Sequence, residues 1–440
     1  MPESPVKAFE KAKAVFTAKV SVTKRDARGN IIERTLNVGK VWKGEPGNSI
    51  TLGQRFHGCD YGRFDEGKSY LVYGEAPWDK ESKEEFYFTS CSRTKPLEQA
   101  QIETRYLDAA SRGEDGKSID AAMPKLLLEE KDPNTRAEAA TLIGEMSYKR
   151  DPQAVVSDET INALAKAAKD TSPIARLAVT RTLGIYKMSG KPAVKESLLM
   201  LLQDDHRDVR AAAVGAFGMV TWRESRVYAA LKAALERARK DPNPDKERQQ
   251  SLLSAFARSL TQAATTEEEK DEAVDLLLEL VDAIDNPYNK VGPIQHLGFQ
   301  KARAKKAAPK FMQILTQTKS YHLKQYTLIA LGDIGAEEAQ PEIEPYLQDE
   351  NCYVVVSTVQ AIHKMNPDGF DTFFRYKGMP ALQARFDKCT SEFTYGLQSI
   401  GKDASPMAPF LKQKHAAMED GDWKKQSLER LLEMLEQPAK

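Results

Sequence analysis

The spacing of apolar residues along the chain changes near residue 96. Before that point apolar and polar residues alternate in short runs, which is the pattern of half-buried β-strands. After it apolar residues recur every three to four positions, which is the pattern of amphipathic α-helices. We therefore predict a multidomain β + α protein, in which a small N-terminal β-barrel is followed by an α-helical solenoid.

Five or six short strands with turn residues between them are predicted within residues 8–93. The runs with strand character are 14–23, 31–42, 49–52, 69–73 and 85–90. Short strands at even spacing would leave exposed edges in an open sheet, and closure removes those edges. The predicted sheet is therefore a small closed barrel.

Helical hairpins are predicted for the rest of the chain. Residues 95–118 form an amphipathic helix and a linker, and residues 119–436 form the solenoid, which becomes irregular after about residue 240. In one hairpin Val209, Ala213, Ala216 and Phe217 fall on a single helical stripe. Such a stripe is hidden only when each hairpin stacks on the next. Residues 437–440 are left as a short tail.

Three predicted turns carry an aspartate that is followed by an arginine on the next helix. The pairs are Asp132 with Arg136, Asp170 with Arg176, and Asp204 with Arg210. On these residues the segment 119–222 resembles HEAT repeats. In that family the aspartate and arginine form a ladder between units, so the resemblance implies a structural role for all six.

A set of short motifs characterises the first domain, which we place at residues 1–94. The motifs are Ala14–Phe16, Val41–Gly44, Cys59, Phe64–Gly67, Tyr70–Tyr73 and Cys91–Thr94 followed by Pro96 and Leu97. Together they resemble the netrin-like, OB-like fold of tissue inhibitors of metalloproteinases, in its bacterial form. The resemblance implies an extracytoplasmic protein, either periplasmic or secreted. Met1–Pro5 show no signal-peptide pattern. This fits a protein made without a signal peptide and, equally well, a mature chain with an added start methionine.

Four cysteines offer two candidate disulfides. In the netrin-like family the equivalents of Cys59 and Cys91 bond to an N-terminal Cys-x-Cys, which this sequence lacks, so the resemblance leaves these two to bond to each other in an oxidising compartment. Two reduced thiols are the alternative. Cys352 and Cys389 lie near equivalent positions of successive units, and a bond between them requires that the turns lean together. Free half-buried thiols are the favoured interpretation there.

Charge bears on the class of partner. Lys+Arg and Asp+Glu both number 64, so the formal net charge is zero. Nucleic-acid binders usually carry a basic excess, and we predict no nucleic-acid partner. A local basic run is interpreted either as a solvated helix face or as a docking patch for an acidic partner. It comprises Lys301, Arg303, Lys305, Lys306 and Lys310. No apolar run approaches the roughly 20 residues of a membrane span.

We predict no catalytic, cofactor-binding or metal-binding residue. The cysteines form no CxxC pair and the histidines are scattered singly, so the ligand spacing of a zinc site is absent. Gly62–Ser69 match the spacing of a phosphate-binding loop, but that chemistry requires a following helix, and Tyr70–Tyr73 predict a strand. Trp222 and Trp423 are interpreted as packing residues, and the alternative is that an exposed tryptophan here marks a binding hot spot.

The function predicted from these features is a non-catalytic protein-binding scaffold or adaptor in an extracytoplasmic bacterial assembly. A first alternative, implied by the netrin-like resemblance, is a metalloprotease inhibitor, although the N-terminal cysteine that chelates zinc in that family is missing. A second alternative is a lyase-type enzyme, since some HEAT-like proteins are bilin lyases. That alternative requires an acid–base pair facing a pocket.

Overall fold

A computed structural model describes residues 5–25, 27, 31–53, 64–75, 93–149, 156–185, 188, 190–220, 222–419 and 422–436. The chain divides into two compact units, Met1–Thr221 and Trp222–Lys440. The strands are β1 (Ala14–Arg25), β2 (Ile31–Lys43), β3 (Ser49–Gly53), β4 (Ser69–Gly74) and β5 (Lys95–Pro96). The helices of the first unit are α1 (Pro5–Lys11), α2 (Gln101–Ser111), α3 (Lys117–Glu129), α4 (Pro133–Lys149), α5 (Asp158–Ala167), α6 (Pro173–Leu183), α7 (Pro192–Leu201) and α8 (Arg207–Met219).

The second unit contains thirteen described α-helices and several tighter or wider turns of helix. They are α9 (Ser225–Lys240), α10 (Lys246–Ala263), α11 (Glu267–Ala283), α12 (Pro287–Phe299), α13 (Ala308–Gln317), α14 (Tyr321–Asp333), α15 (Gln340–Ile343), α16 (Cys352–Met365), α17 (Phe370–Phe373), α18 (Met379–Gln383), α19 (Thr390–Ile400), α20 (Ala408–Ala416) and α21 (Trp423–Glu436). Short 3₁₀ segments lie at Lys301–Ala307, Glu344–Gln348 and Gly401–Met407, and a π-helical turn lies at Phe374–Gly378. These interruptions account for the irregular hydrophobic pattern after residue 240.

The five strands form an antiparallel sheet in the order β3-β2-β1-β4-β5. Within the described residues the sheet is open, because β3 and β5 stand at opposite edges, so the predicted closed barrel is wrong. β5 is only two residues long and the chain enters a helical turn at Leu97, which leaves no strand length for closure. The predicted strand at 85–90 lies outside the described residues.

Both faces of the sheet bury apolar side chains. One core contains Phe16, Val20 and Leu36, with Phe64 packed on it. The opposite core contains Leu71 and packs against α2 through Leu107 and against α1 through Ala8 and Phe9. The helix α1 therefore covers part of the sheet face that contains Leu71, a face that would be inside a closed barrel. The alternation of apolar and polar residues did not predict this helix.

Antiparallel helical hairpins follow the sheet, as predicted for a HEAT-type solenoid. In the first unit α3, α5 and α7 pair with α4, α6 and α8, and in the second unit α9, α11 and α13 pair with α10, α12 and α14. We call the second helix of each hairpin a B helix: α4, α6 and α8 in the first unit, and α10, α12, α14, α16, α19 and α21 in the second. Within each unit consecutive B helices pack side by side.

Small residues set the distance between neighbouring B helices. A Cβ atom on Gly184, the C-cap of α6, would lie 2.8 Å from the Cβ of Ala216 on α8. A Cβ atom on Gly332 of α14 would lie 2.7 Å from the backbone Cα of Ala361 on α16. Because such distances are closer than van der Waals contact, these helices approach as they do only with glycine at these positions. No helix in the described parts of the chain is both long and apolar enough to cross a membrane.

Candidate protein-interaction surface

The Asp and Arg residues identified in the sequence connect successive B helices of the first unit. Arg136 Nε lies 2.6 Å from Asp170 Oδ2 and Arg176 Nε lies 2.6 Å from Asp204 Oδ2. The second oxygen of each aspartate accepts a backbone N–H in its own turn, from Ser172 at 2.8 Å for Asp170. Each aspartate therefore shapes its turn and receives the arginine of the preceding hairpin.

The two remaining ladder residues serve the ends of this series. Asp132 accepts the backbone N–H of Thr135 at 3.1 Å and so caps its own helix, α4. Arg210 donates to the backbone carbonyls of Asp204 and Asp205, each at 2.9 Å. Burial would raise the pKa of Asp170, but hydrogen bonding from Arg136 outweighs it and lowers that pKa. These six residues stabilise the stack, and their donors and acceptors are used within the protein.

The second unit makes the same connections with other residues. Lys324 Nζ on α14 lies 2.7 Å from Asp349 Oδ2, and Asp349 Oδ1 accepts the N–H of Asn351 at 3.0 Å. Gln250 on α10 accepts the backbone N–H of Asn286 at 2.6 Å, just before α12. Cys352 and Cys389 form a disulfide between the starts of α16 and α19, with Cα atoms 5.6 Å apart. The free-thiol interpretation favoured by the sequence is therefore wrong for this pair.

Cys59 and Cys91, the other candidate disulfide, lie outside the described residues. Trp222 is buried, whereas Trp423 at the start of α21 is 62% exposed and does not fit the packing interpretation.

A buried charge network joins the sheet to the first helices. Glu103 on α2 has no exposed surface, and its carboxylate receives Arg93 Nη2 at 2.8 Å and Lys95 Nζ at 2.6 Å. The hydroxyl of Tyr73 on β4 donates to the same carboxylate at 2.8 Å. Burial alone would raise the pKa of Glu103, but these partners outweigh it and lower the pKa to about 2.

A second carboxylate completes the network. Glu138 on α4 accepts the backbone N–H groups of Ile102 at 2.7 Å and Glu103 at 3.0 Å. It therefore caps the start of α2 from another helix, and burial raises its pKa. We call Arg93, Lys95, Glu103 and Glu138 the charge lock. Its members lie before β5, in β5, on α2 and on α4, so no local pattern in the sequence pointed to them.

The basic run lies opposite carboxylates of its own protein. Arg303 contacts Glu267 and Asp271 on α11, and Lys310 lies 2.7 Å from Asp282. Lys306 contacts Asp275 on α11, and Lys305 lies 3.5 Å from Glu338. Four of the five cations are therefore paired with carboxylates, three with carboxylates of α11 and one with Glu338, which argues against a free basic patch. The fifth, Lys301, is exposed. The proposed docking role of this run stays a prediction.

Four aromatic side chains form a contiguous row on three B helices of the second unit. We call Tyr288 on α12, Tyr321 and His322 on α14, and Tyr353 on α16 the aromatic row. The ring centroids are 5.4 Å apart for Tyr288 and His322, 6.4 Å for His322 and Tyr321, and 6.3 Å for Tyr321 and Tyr353. The three tyrosines are 70%, 47% and 42% exposed. Each ring thus contacts its neighbour and still presents surface to solvent.

Helix capping explains why these rings stand outside the core. Asn286, Ser320 and Asn351 are the N-caps of α12, α14 and α16, and each accepts a backbone N–H with its side chain. The aromatic residues follow at the first or second helical position, where the chain has just left the turn. Stacking of successive B helices then lines these positions up. A sequence signal existed, namely a tyrosine or histidine one or two residues after each polar cap.

A shallow groove lies elsewhere in the second unit, beside the π-helical turn. Its volume is about 700 Å³, and Pro341, Pro345, Tyr376 and Pro380 contribute to its lining. Glu344 and Lys377, which also line it, are joined in an ion pair, and Arg385 at its edge donates to the backbone carbonyl of Leu347. Within the described residues no group of three or more His, Cys, Asp or Glu side chains is placed to hold a metal ion.

Comparison with known proteins supports the helical architecture. The family model for HEAT repeats matches residues 122–218, and this part of the chain therefore contains HEAT repeats. No match was found among curated proteins. The netrin-like identity of the first domain has no support from these comparisons.

Solved structures extend the likeness over more of the chain. A chain of the Kap95:Nup1 complex is 12% identical with a TM-score of 0.52, over 81% of this chain and 49% of that chain. Importin beta in an ammonium sulfate condition is 13% identical with a TM-score of 0.44, over 77% of this chain and 49% of that chain. The chain thus spans about half the length of each. At these identities the likeness shows the fold alone, and of the two only the first is close enough to support it.

Proposed function

We propose that this protein is a non-catalytic scaffold that binds another protein through the aromatic row. The observation that carries the proposal is the contiguous set of exposed rings at Tyr288, Tyr321, His322 and Tyr353. Tyrosine is enriched among the residues that dominate binding energy in protein interfaces, because it offers a large rigid apolar surface and a polar tip. HEAT hairpins place such residues on repeated rigid elements, which suits an extended protein partner.

The charged residues of the ladder and of the charge lock have structural contacts rather than free surfaces. The ladder residues and the charge lock are satisfied by contacts within the protein, and most of the basic run is paired. The aromatic row differs because its rings contact one another and keep an open face. Since exposed aromatic clusters are uncommon on surfaces without a binding role, this surface is the best candidate for the partner.

The test is site-specific photo-crosslinking in cells that produce the protein. A photoreactive phenylalanine analogue replaces Tyr321 in the full chain, and a matched control carries it at Tyr395, which is 75% exposed on α19. We expect a discrete protein adduct from position 321 that is lost when Tyr288→Ala and Tyr353→Ala are added. Equal adducts from both positions, or an adduct indifferent to the two substitutions, would contradict the proposal.

We further propose an extracytoplasmic location. The disulfide between Cys352 and Cys389 supports it, because disulfides persist mainly in oxidising compartments. Mass measurement of protein isolated from its native source, with and without reductant, tests this. Four free thiols in that material would refute the proposed location.

A further inference from the structure

One of the described connections between B helices is covalent. Cys352 is the first residue of α16 and Cys389 is the N-cap of α19, and the bond between them closes a sequence separation of 37 residues. At the corresponding place between α14 and α16 the connection is the ion pair of Lys324 with Asp349. A reductant leaves an ion pair intact and cleaves a disulfide, so the junction of α16 with α19 responds to redox conditions in a way that the neighbouring junction does not.

We propose that the Cys352–Cys389 disulfide is a redox-dependent clamp, which holds α19 on α16 in oxidised protein and is opened by a dithiol reductant. Opening loosens α19 and the helices after it, and it frees the start of α16, where Tyr353 follows Cys352. The clamp thereby regulates the aromatic row, and this last step rests on the proposed function.

Polar contacts accompany the disulfide at this junction. His363 Nε2 lies 2.8 Å from Asp403 Oδ2, and Arg385 Nη1 donates to the carbonyl of Leu347 at 2.7 Å. The amide of Gln360 also contacts the hydroxyl of Ser399. Phe393 and Leu397 of α19 stay buried by packing. Cleavage therefore removes the covalent restraint while the apolar contacts persist, and local loosening is expected rather than global unfolding.

The geometry also sets the order of the chemical steps. Cys389 has no exposed surface, whereas Cys352 is half-buried, so the thiolate of the dithiol attacks Sγ of Cys352. A mixed disulfide forms there, and Cys389 leaves as a thiolate that takes up a proton. The second thiol of the reductant then attacks the mixed disulfide, which releases Cys352 as a thiol and closes the reductant's own disulfide. Two electrons pass from the dithiol to the protein.

The position of both sulfurs favours this exchange. Cys352 and Cys389 stand at the N-termini of α16 and α19, where the helix dipole stabilises a thiolate. Tyr353 stacks on Tyr321 with an interplanar angle of 20°, so movement at the start of α16 alters the end of the aromatic row.

Hydrogen exchange on the full chain tests the clamp itself. The protein carries Cys59→Ser and Cys91→Ser, so that Cys352 and Cys389 are its only cysteines. Dithiothreitol is expected to speed amide exchange in residues 390–416 by roughly 10- to 600-fold, the upper figure being set by the loop entropy that the disulfide removes. Residues 246–263 should not change. A further variant with Cys352→Ser and Cys389→Ser should exchange quickly with or without dithiothreitol.

Two results would overturn the clamp: unchanged exchange in residues 390–416 after reduction, or two free thiols in the oxidised protein. Crosslinking from position 321, repeated with dithiothreitol, tests the coupling to the aromatic row. A weaker adduct on reduction supports regulation, and an unchanged adduct with faster exchange refutes regulation while the scaffold proposal stands. Absence of any adduct in both states refutes the scaffold and the coupling together, and the clamp is then judged by exchange alone.

Discussion

The ammonium group of Lys324 lies 2.7 Å from the carboxylate of Asp349 and links the start of α14 to the turn before α16. Arg176 and Asp204 make the same link between α6 and α8 in the first unit. In both cases the second aspartate oxygen accepts a backbone N–H two residues further on. The later hairpins are therefore irregular in sequence but keep the ladder connection with different side chains.

Replacing Lys324 by methionine should destabilise the second unit. Both partners are largely buried, with side chains 21% and 15% exposed, and the substitution leaves the Asp349 carboxylate without its cation. We expect a loss of about 1–3 kcal/mol in the free energy of unfolding, measured by chemical denaturation. Lys319→Met, at an exposed position in the turn before α14, is the matched control and should cost less than about 0.5 kcal/mol. Equal effects of the two variants would count against the ladder interpretation.

The charge lock makes the first unit sensitive to acid. The pKa of Glu103 is lowered from 4.5 to about 2 in the folded protein. Because a depressed carboxyl pKa stabilises the fold above the unfolded value, this contribution is complete above pH of about 5 and is lost as the pH falls toward 2. Glu103→Gln should cost on the order of 3 kcal/mol at pH 7, since it leaves the buried Arg93 and the half-buried Lys95 beside a neutral side chain.

Thermal unfolding of wild type and Glu103→Gln across pH 7 to 3 checks this expectation. The difference in melting temperature between the two proteins should become smaller as the pH decreases. A difference in melting temperature that is constant over this range would show that ionisation of Glu103 is not the cause of the stability loss.

Close packing of B helices predicts opposite effects for two glycines. Gly332→Ala places a Cβ atom 2.7 Å from the backbone of Ala361, so the helices must separate, at a cost of about 1–3 kcal/mol. Gly215→Ala on α8 meets nothing within 4 Å, and alanine should stabilise that helix by up to about 1 kcal/mol. Melting temperatures of the two variants decide the matter, and a Gly332→Ala protein as stable as wild type would refute the close approach.

The paired part of the basic run should contribute little to stability. Lys306 pairs with Asp275, whose side chain is 60% exposed, and Lys310 pairs with Asp282, whose side chain is 61% exposed. Exposed ion pairs of this kind contribute roughly 0–1 kcal/mol and are screened by salt. Lys306→Ala should therefore change the unfolding free energy by less than about 1 kcal/mol at low salt and by still less at 0.5 M salt. A larger loss, or one that persists in salt, would assign the run a structural role beyond pairing.

The sequence predicted the boundary between strands and helices, the hairpin pattern and the Asp and Arg positions of the ladder. These features depend on residues that are neighbours along the chain. Alternation marked the strands, a 3.6-residue period marked the helices, and capping residues marked their starts. The same local rules predicted a closed barrel and two free thiols at Cys352 and Cys389, and the structure corrects both. Closure and bond formation depend on where distant segments meet.

Tertiary structure alone decided which side chains meet. Glu138 caps α2 from a helix about thirty-five residues further along the chain, and the aromatic row requires three hairpins to stack before Tyr288, His322 and Tyr353 align. Local periodicity determines which face of a helix is apolar, but it does not determine which face of another helix that surface will contact. That choice is made by how the hairpins of each unit pack, where buried charges must find partners and small residues let helices approach.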